Sequence, residues 1–181
     1  MTLATPEGRH FFGHGVFSPD GQLLYATEND FAAGQGVLGI YDVAGRYHRL
    51  GEIPTYGVGP HEAILLRDST TIAIANGGIE THPDYGRAEL NLDNMDPSIA
   101  FVDRRDGRLI EQLRLGADLR RLSVRHMVED ARGRIWFGCQ FRGDGAGRGP
   151  GGGGGAGGGE GGGVGGGGGG GAGLANYVGG L

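Results

Sequence analysis

The chain has 181 residues, a formal net charge of −5 and a single cysteine. This acidic balance excludes the clustered basic surface that nucleic-acid binding requires, and one cysteine excludes an internal disulfide framework. No apolar run approaches the ~20 residues of a membrane-spanning helix, and no charged-then-apolar N-terminal stretch predicts a signal peptide. We therefore expect no nucleic-acid partner and no membrane span.

Short β-rich segments bounded by turn residues follow one another along the chain. The first hairpin runs from "HGVFS" through "PDGQ" into "LLYATEND". A second hairpin runs from His61–Leu66 into "TIAIANGG", and a third runs from His126–Asp130 into "IWFGCQF". Two further strands are predicted after the first hairpin, in "VLGIYDV" and "YHRLGEI", and two more lie within Ser98–Leu115. The pattern predicts antiparallel units of four strands.

A histidine opens each hairpin, and the three histidines are 47 and 65 residues apart: His14, His61 and His126. This spacing favours the blades of a β-propeller, which are about 40–50 residues long, over a β-sandwich, the structural alternative. We therefore predict an all-β chain, a partial β-propeller of about three four-stranded antiparallel blades in an incomplete ring. The propeller domain spans residues 9–143, with blades at roughly 10–56, 57–116 and 123–143 onward.

The first strand of a propeller blade lines the central channel, so the three histidines are predicted to point into one axial funnel. Imidazoles are ligands for Zn²⁺, Fe²⁺, Cu²⁺ and Mn²⁺, which makes a divalent metal ion the predicted cofactor. A water-filled channel with a merely polar lining is the alternative. Antiparallel pairing is expected to place a carboxylate or carboxamide beside each histidine. The predicted ligand-binding residues of the funnel are Glu28, Asn76 and Gln140, with Glu62 and Arg125 next to histidines in sequence.

The second unit carries an insertion, residues 78–97, with several possible oxygen and nitrogen ligands: His82, Asp84, Asn91, Asp93 and Asp96. Their spacing is not that of an EF-hand loop. We interpret the insertion first as a capping loop whose Asn and Asp side chains satisfy their own turns. Because long loops over a funnel often carry specificity, His82, Asn91 and Asp93 remain candidate ligand-binding residues.

Glycine dominates the sequence after the third hairpin. Between Gly151 and Ala172, 18 of 22 positions are glycine, a composition typical of a flexible linker. A second interpretation, which rests on the family resemblance given in the next paragraph, is that residues 144–173 stand in place of ordinary strands of the third blade. Residues 174–181, "LANYVGGL", are then predicted to form the first strand of a next blade.

Several segments resemble an exported bacterial propeller family, domain of unknown function 1513, a relative of the seven-bladed YVTN-repeat propellers. The resemblance rests on "GHGVFSPDGQLLYATEND", "GPHEAILL", "ANGGIETHPDYGRAELNLDNMDPSI" and "VRHM" with "FGCQF". It covers residues 9–143, roughly half of a full member. It implies a periplasmic protein of unassigned activity, with an association with iron-uptake systems as the only indication of a partner.

The leading functional hypothesis is a binding or accessory protein that holds a metal ion or a small ligand in the funnel. An enzyme of the propeller-lactonase or oxidoreductase kind, with an axial histidine as base, is one alternative, and a protein-interaction scaffold is another. Neither Ser18 nor Ser123 stands in the setting of a catalytic triad. Cys139, in a strand with Trp136 and Phe137, is predicted to be a buried apolar residue.

Overall fold

Four-stranded antiparallel sheets build the chain in the computed structural model, which describes residues 2–86 and 88–142 and the backbone of residues 164–165 and 172–177. The first sheet contains β1 (Arg9–Phe17), β2 (Leu23–Asp30), β3 (Gln35–Asp42) and β4 (His48–Pro54). The second contains β5 (Pro60–Leu65), β6 (Thr71–Asn76), β7 (Ser98–Asp103) and β8 (Leu109–Arg114). In both sheets the strands lie side by side in chain order. The predicted all-β fold of four-stranded antiparallel units is confirmed.

The third sheet contains β9 (Leu122–Glu129), β10 (Ile135–Phe141), β11 (Val164–Gly165) and β12 (Ala172–Tyr177). Strand β12 pairs with β10, and β11 pairs with β12. Residues 174–177 therefore pair within the third sheet, where the sequence predicts the first strand of a next blade. The backbone N–H and C=O groups on the edge of β10 pair with the next segment that can form a strand, which is β12. Residues 178–181 and most of residues 144–173 lie outside the described residues.

An aspartate shapes the turn of each of the three hairpins. The Oδ1 atom of Asp20 accepts a hydrogen bond from the Gln22 backbone N–H at 3.1 Å. Asp68 and Asp130 do the same for backbone N–H groups two residues further on, each at 2.8 Å. Such aspartate turns depend only on neighbouring residues, so the local sequence determines where each of the three hairpins reverses.

The core lies between the sheets, and β6 shows how it is built. Ile72 and Ile74 pack against the first sheet, whereas Ala73 and Ala75 face the third sheet. This alternation is the period of two that a strand imposes, and it buries both faces of the second sheet. Fully burying an isoleucine contributes about 1.5–3 kcal/mol. The sheets thus stack face to face through apolar side chains, as the blades of a propeller do.

The first strands of successive sheets are neighbours, since β1 contacts β5 and β5 contacts β9. Gly13 shows how closely they approach: a Cβ atom at this position would lie 1.9 Å from the carbonyl oxygen of His61. Only glycine allows the two backbones to come this near. The strands that carry the three histidines therefore share one side of the molecule, as predicted for the inner strands of a propeller.

Helical structure is confined to three 3₁₀ turns in the described residues, at Pro83–Tyr85, Leu92–Asn94 and Ala117–Leu119. Within the same part of the chain, no helix has the length and apolar character needed to cross a membrane. Cys139 is buried, as predicted, and burial raises the pKa of its thiol to about 12.

Candidate metal centre

The pairing register slips next to the histidine in each of the three hairpins. In the second hairpin His61 is an extra residue between Pro60 and Glu62, which oppose consecutive residues of β6. In the third hairpin Arg125, one residue before His126, is the extra residue. The slip in the first hairpin lies between Phe11 and Gly15 and includes His14. Bulges of this kind bend a strand and change the direction of its side chains, which is why they are frequent beside functional sites.

The three imidazole rings meet at one place. The ring centroids of His14 and His61 are 5.4 Å apart, those of His14 and His126 are 5.3 Å apart, and those of His61 and His126 are 4.9 Å apart. One nitrogen from each ring lies within 4.8 Å of the other two. In the described residues this is the one group of three or more His, Cys, Asp or Glu side chains with ligand atoms so close together. The predicted convergence of the histidines is thus present in the structure.

Within residues 2–86 and 88–142, hydrogen bonds engage the Nδ1 atom of two of these rings and not their Nε2 atom. The Nδ1 atom of His61 lies 3.1 Å from the backbone carbonyl of Arg125. A carbonyl only accepts, so Nδ1 carries the proton and Nε2 keeps its lone pair. The Nδ1 atom of His126 lies 3.5 Å from Oε1 of Glu62, whose other oxygen accepts the backbone N–H of Met127. Metal-binding histidines are commonly oriented by a backbone carbonyl or a carboxylate in this way.

His61 is neutral around pH 7. Its pKa is lowered to about 4, mainly by burial and in addition by the charges of Arg125 and His126. The hydrogen bond to the Arg125 carbonyl opposes these effects but does not outweigh them. A metal ion binds the unprotonated imidazole, so at neutral pH no proton has to leave His61 before an ion is bound.

The three rings must close slightly to hold one ion. Zinc–nitrogen bonds of about 2.0–2.1 Å in a tetrahedral site place the ligand nitrogens roughly 3.3 Å apart. The present spread of up to 4.8 Å exceeds this value. His14 and His126 are exposed, with 60% of the His126 side chain accessible, so both rings can turn towards the half-buried His61. The arrangement is that of an open site with one fixed ligand and two adjustable ones.

The carboxylate and carboxamides predicted beside the histidines lie elsewhere. Glu28 pairs with Phe11 rather than His14, and its buried carboxylate accepts hydrogen bonds from Tyr41 at 2.5 Å and Arg49 at 3.1 Å. The prediction of Glu28 beside His14 is wrong because the bulge shifts the register between the two strands.

The same displacement applies to the other two hairpins. Asn76 pairs with Pro60, is fully buried, and donates to the carbonyl of Thr55 at 2.8 Å. Gln140 pairs with Ser123, and its Oε1 accepts a hydrogen bond from Arg142 at 2.7 Å. Asn76 thus lies at the same end of its hairpin as His61, as predicted, but neither residue is the strand partner of its histidine, and their side-chain hydrogen bonds go to other groups. Glu62, in contrast, contacts the histidine cluster directly.

The insertion uses its polar side chains to hold its own backbone. Asn91 accepts from the Glu80 N–H at 2.8 Å and donates to the Gly78 carbonyl at 2.9 Å. His82 accepts from the Asp84 N–H at 3.2 Å, and Asp93 pairs with Arg121 at 2.6 Å. The contacts of Asn91 are those that the capping-loop interpretation expects, whereas Asp93 bonds outside the insertion. None of these contacts joins His82, Asn91 and Asp93 to one another.

One residue of the centre escaped the sequence analysis. Gly13 makes the close approach of β1 to the His61 backbone possible, although it binds nothing itself. The available signal was "GHG", in which glycines flank His14 on both sides. Glycine inside a strand pattern marks a bulge or a close backbone approach, and both occur here.

A family model described as "Protein of unknown function (DUF1513)" matches residues 1–158. Among solved structures, Kuenenia stuttgartiensis hydrazine synthase is 20% identical at a TM-score of 0.51, over 69% of this chain and 30% of that chain. A eukaryotic initiation factor is 17% identical at a TM-score of 0.38, over 63% of this chain and 23% of that chain. The first likeness concerns the fold alone, and the second is too low to support an argument. No curated protein matches the chain.

Proposed function

We propose that this chain, which belongs to the DUF1513 family of proteins of unknown function, binds one divalent transition-metal ion through His14, His61 and His126. The observation that carries the proposal is that three separate sheets each deliver one imidazole to the same place. Their ligand nitrogens lie within 4.8 Å of one another. Bulges beside all three histidines support a specific use of these positions.

The three nitrogen donors support a transition-metal ion of intermediate softness. Three imidazole nitrogens suit Zn²⁺, Cu²⁺ or Fe²⁺, whereas Ca²⁺ and Mg²⁺ prefer oxygen ligands. Three protein ligands leave a fourth position on the ion, which a water molecule or a small ligand fills. A binding or accessory role follows, with the ion held at the open end of the three inner strands. The family resemblance supports a periplasmic location for this role.

The test is a Zn²⁺ titration of the full chain after removal of metal, with a chromophoric chelator as competitor. The wild-type chain is expected to bind one ion per chain. His61→Ala removes the ligand that is already oriented and half-buried, and should weaken binding by more than about 100-fold, beyond the usual effect of losing a supporting contact.

His48→Ala is the matched control, because His48 is an exposed histidine of β4 on the first sheet. This variant should bind Zn²⁺ like the wild type. Equal loss in His48→Ala and His61→Ala would indicate adventitious binding to surface histidines. An unchanged affinity in His61→Ala would also overturn the proposal.

A further inference from the structure

A second site lies beside the histidine cluster, in a cavity of about 250 Å³. Its wall is built by β1, the segments before β5 and after β6, the insertion, β9 and the residue that follows β10. The cavity shares Arg125 with the histidine cluster, because the carbonyl of Arg125 accepts a hydrogen bond from His61 and the same residue lines the cavity. The remaining wall consists of residues that the proposed metal centre does not use.

Two arginines and one glutamate give the cavity wall an excess of positive charge. Glu89 pairs with Arg142, with 2.7 Å between Oε1 and Nη1, and so balances one of the two guanidinium groups. Within residues 2–86 and 88–142, the buried Nε atom of Arg125 has no hydrogen-bond partner, and neither does the Nε atom of Arg142. A partly buried cation without a counter-ion is costly, and a bound anion would remove that cost.

Apolar side chains also line the cavity. Phe12 and Ile79 contribute them, Thr81 adds one hydroxyl group, and three glycines add no side chain: Gly59, Gly77 and Gly86. At Gly77 a Cβ atom would lie 2.6 Å from the Ser123 hydroxyl, so the wall is packed behind that backbone. A ligand that fits this cavity therefore has a charged end for the arginines and an apolar body for Phe12 and Ile79.

From this polarity we infer that the cavity binds a small organic acid, with its carboxylate on Arg125 and Arg142 and its apolar part against Phe12 and Ile79. A guanidinium group presents paired N–H donors that match the two oxygens of a carboxylate. The volume of about 250 Å³ limits the ligand to a small molecule. The inference goes beyond the proposed metal binding and does not depend on it.

The test compares benzoate with its neutral isostere benzamide on the full chain, freed of metal with a chelating resin so that no ion can bind either probe. Line broadening in the NMR spectrum of each probe reports binding. Benzoate is expected to bind in the millimolar range, a typical affinity for so small a ligand, and benzamide about 10-fold more weakly. Equal binding of both probes would overturn the inference.

Two substitutions with opposite expected effects separate binding from folding. Arg125→Gln should weaken benzoate binding about 10-fold, since it removes the unbalanced charge. Glu89→Gln should strengthen it several-fold, because the carboxylate that occupies Arg142 is gone. A misfolded variant cannot gain affinity, so a gain in Glu89→Gln would support the inference. A loss in a Glu89→Gln variant that unfolds at the wild-type temperature would contradict it.

Arg132→Gln, in the exposed turn of the same hairpin, is the control and should leave benzoate binding unchanged. Inorganic phosphate is the third probe, since it carries charge without an apolar body. It should bind more weakly than benzoate. If phosphate binds as tightly, the apolar wall plays no part and an organic acid is not the ligand class.

Discussion

Two clusters of polar side chains differ in how fully their members are satisfied. The first surrounds Glu28 on the first sheet, and the second is the group of three histidines with Glu62 and Arg125. In the Glu28 cluster the buried carboxylate has partners on several sides, with Tyr41 at 2.5 Å and Arg49 at 3.1 Å. In the histidine cluster the ligand nitrogens face one another at up to 4.8 Å without bonding.

The Glu28 cluster has no room for a further molecule. A Cβ atom at Gly39 would lie 1.8 Å from Oε1 of Glu28, so the neighbouring strand already closes over the carboxylate. Arg9 pairs with Asp30 at 3.0 Å, and Glu52 bridges Arg9 and Arg49. Burial, followed by the hydrogen bond to Glu28, raises the pKa of Tyr41, so its hydroxyl keeps its proton and remains a donor.

The difference teaches how to separate a structural polar cluster from a binding one. Buried polar groups that satisfy one another fix the fold, whereas converging groups with free lone pairs or unbalanced charge fit a ligand. Glu28 belongs to the first kind, although its position in the sequence suggested the second. The three predictions below act on one cluster at a time, so each can show whether this separation is correct.

The largest expected effect is a loss of stability when the Glu28 cluster is disrupted. Glu28→Ala leaves Arg49 and Tyr41 without their buried acceptor and should lower the free energy of unfolding by about 3–5 kcal/mol. His14→Ala replaces an exposed histidine of the histidine cluster and should change the free energy of unfolding by less than about 0.5 kcal/mol. Urea unfolding of both variants measures the difference. Comparable losses in the two would show that both clusters are structural.

A smaller effect is expected on the metal affinity of the histidine cluster. Glu62→Gln keeps an acceptor for the Met127 N–H but removes the charge that orients His126, so Zn²⁺ affinity should fall about 10- to 100-fold. Glu7→Gln, on an exposed glutamate, serves as the control. Zn²⁺ titration measures both. If Glu62→Gln binds as the wild type does, Glu62 does not support the metal ligands.

The smallest effect concerns the pH dependence of stability in the metal-free chain. The pKa of His61 is about 4 when folded and near 6.5 when unfolded, so between these values the unfolded state binds more protons. His61 therefore makes stability rise with pH from about 4 to about 6.5, and this contribution is lost as the pH falls.

His61→Gln removes this dependence. Because His61 is half exposed, the wild type should lose only about 1 kcal/mol more than the variant between pH 7.5 and pH 4.5. Urea unfolding at the two pH values measures the change. Parallel losses in the wild type and the variant would mean that the imidazole is not kept neutral by its surroundings.

Sequence reasoning gave the hairpins and the shared position of the histidines, because both depend on local features. Turn aspartates such as Asp68 and alternating runs such as that of β6 act within a few residues of the chain. The equal spacing of His14, His61 and His126 from their turns then implied a common location. That implication also used the arrangement of a propeller, in which the first strand of each blade lines the central channel.

The residues around the histidines could not be predicted in the same way. The slip at Arg125 adds one residue to β9, and nothing in the local sequence fixes which residue is displaced. The role of Glu28 depends on Arg49, from a strand two positions away in the sheet. The cavity depends on the ion pair between Glu89 of the insertion and Arg142, which follows β10. Contacts between distant segments decide these features, and spacing along the chain does not report them.

The central claim is that one ion is held jointly by histidines from three sheets, and X-ray absorption at the zinc edge of the loaded full chain tests it most directly. The account predicts one ion per chain, with three imidazole nitrogens at about 2.0 Å and one further light ligand. A spectrum with a single imidazole, or one that His61→Ala leaves unchanged, would contradict it.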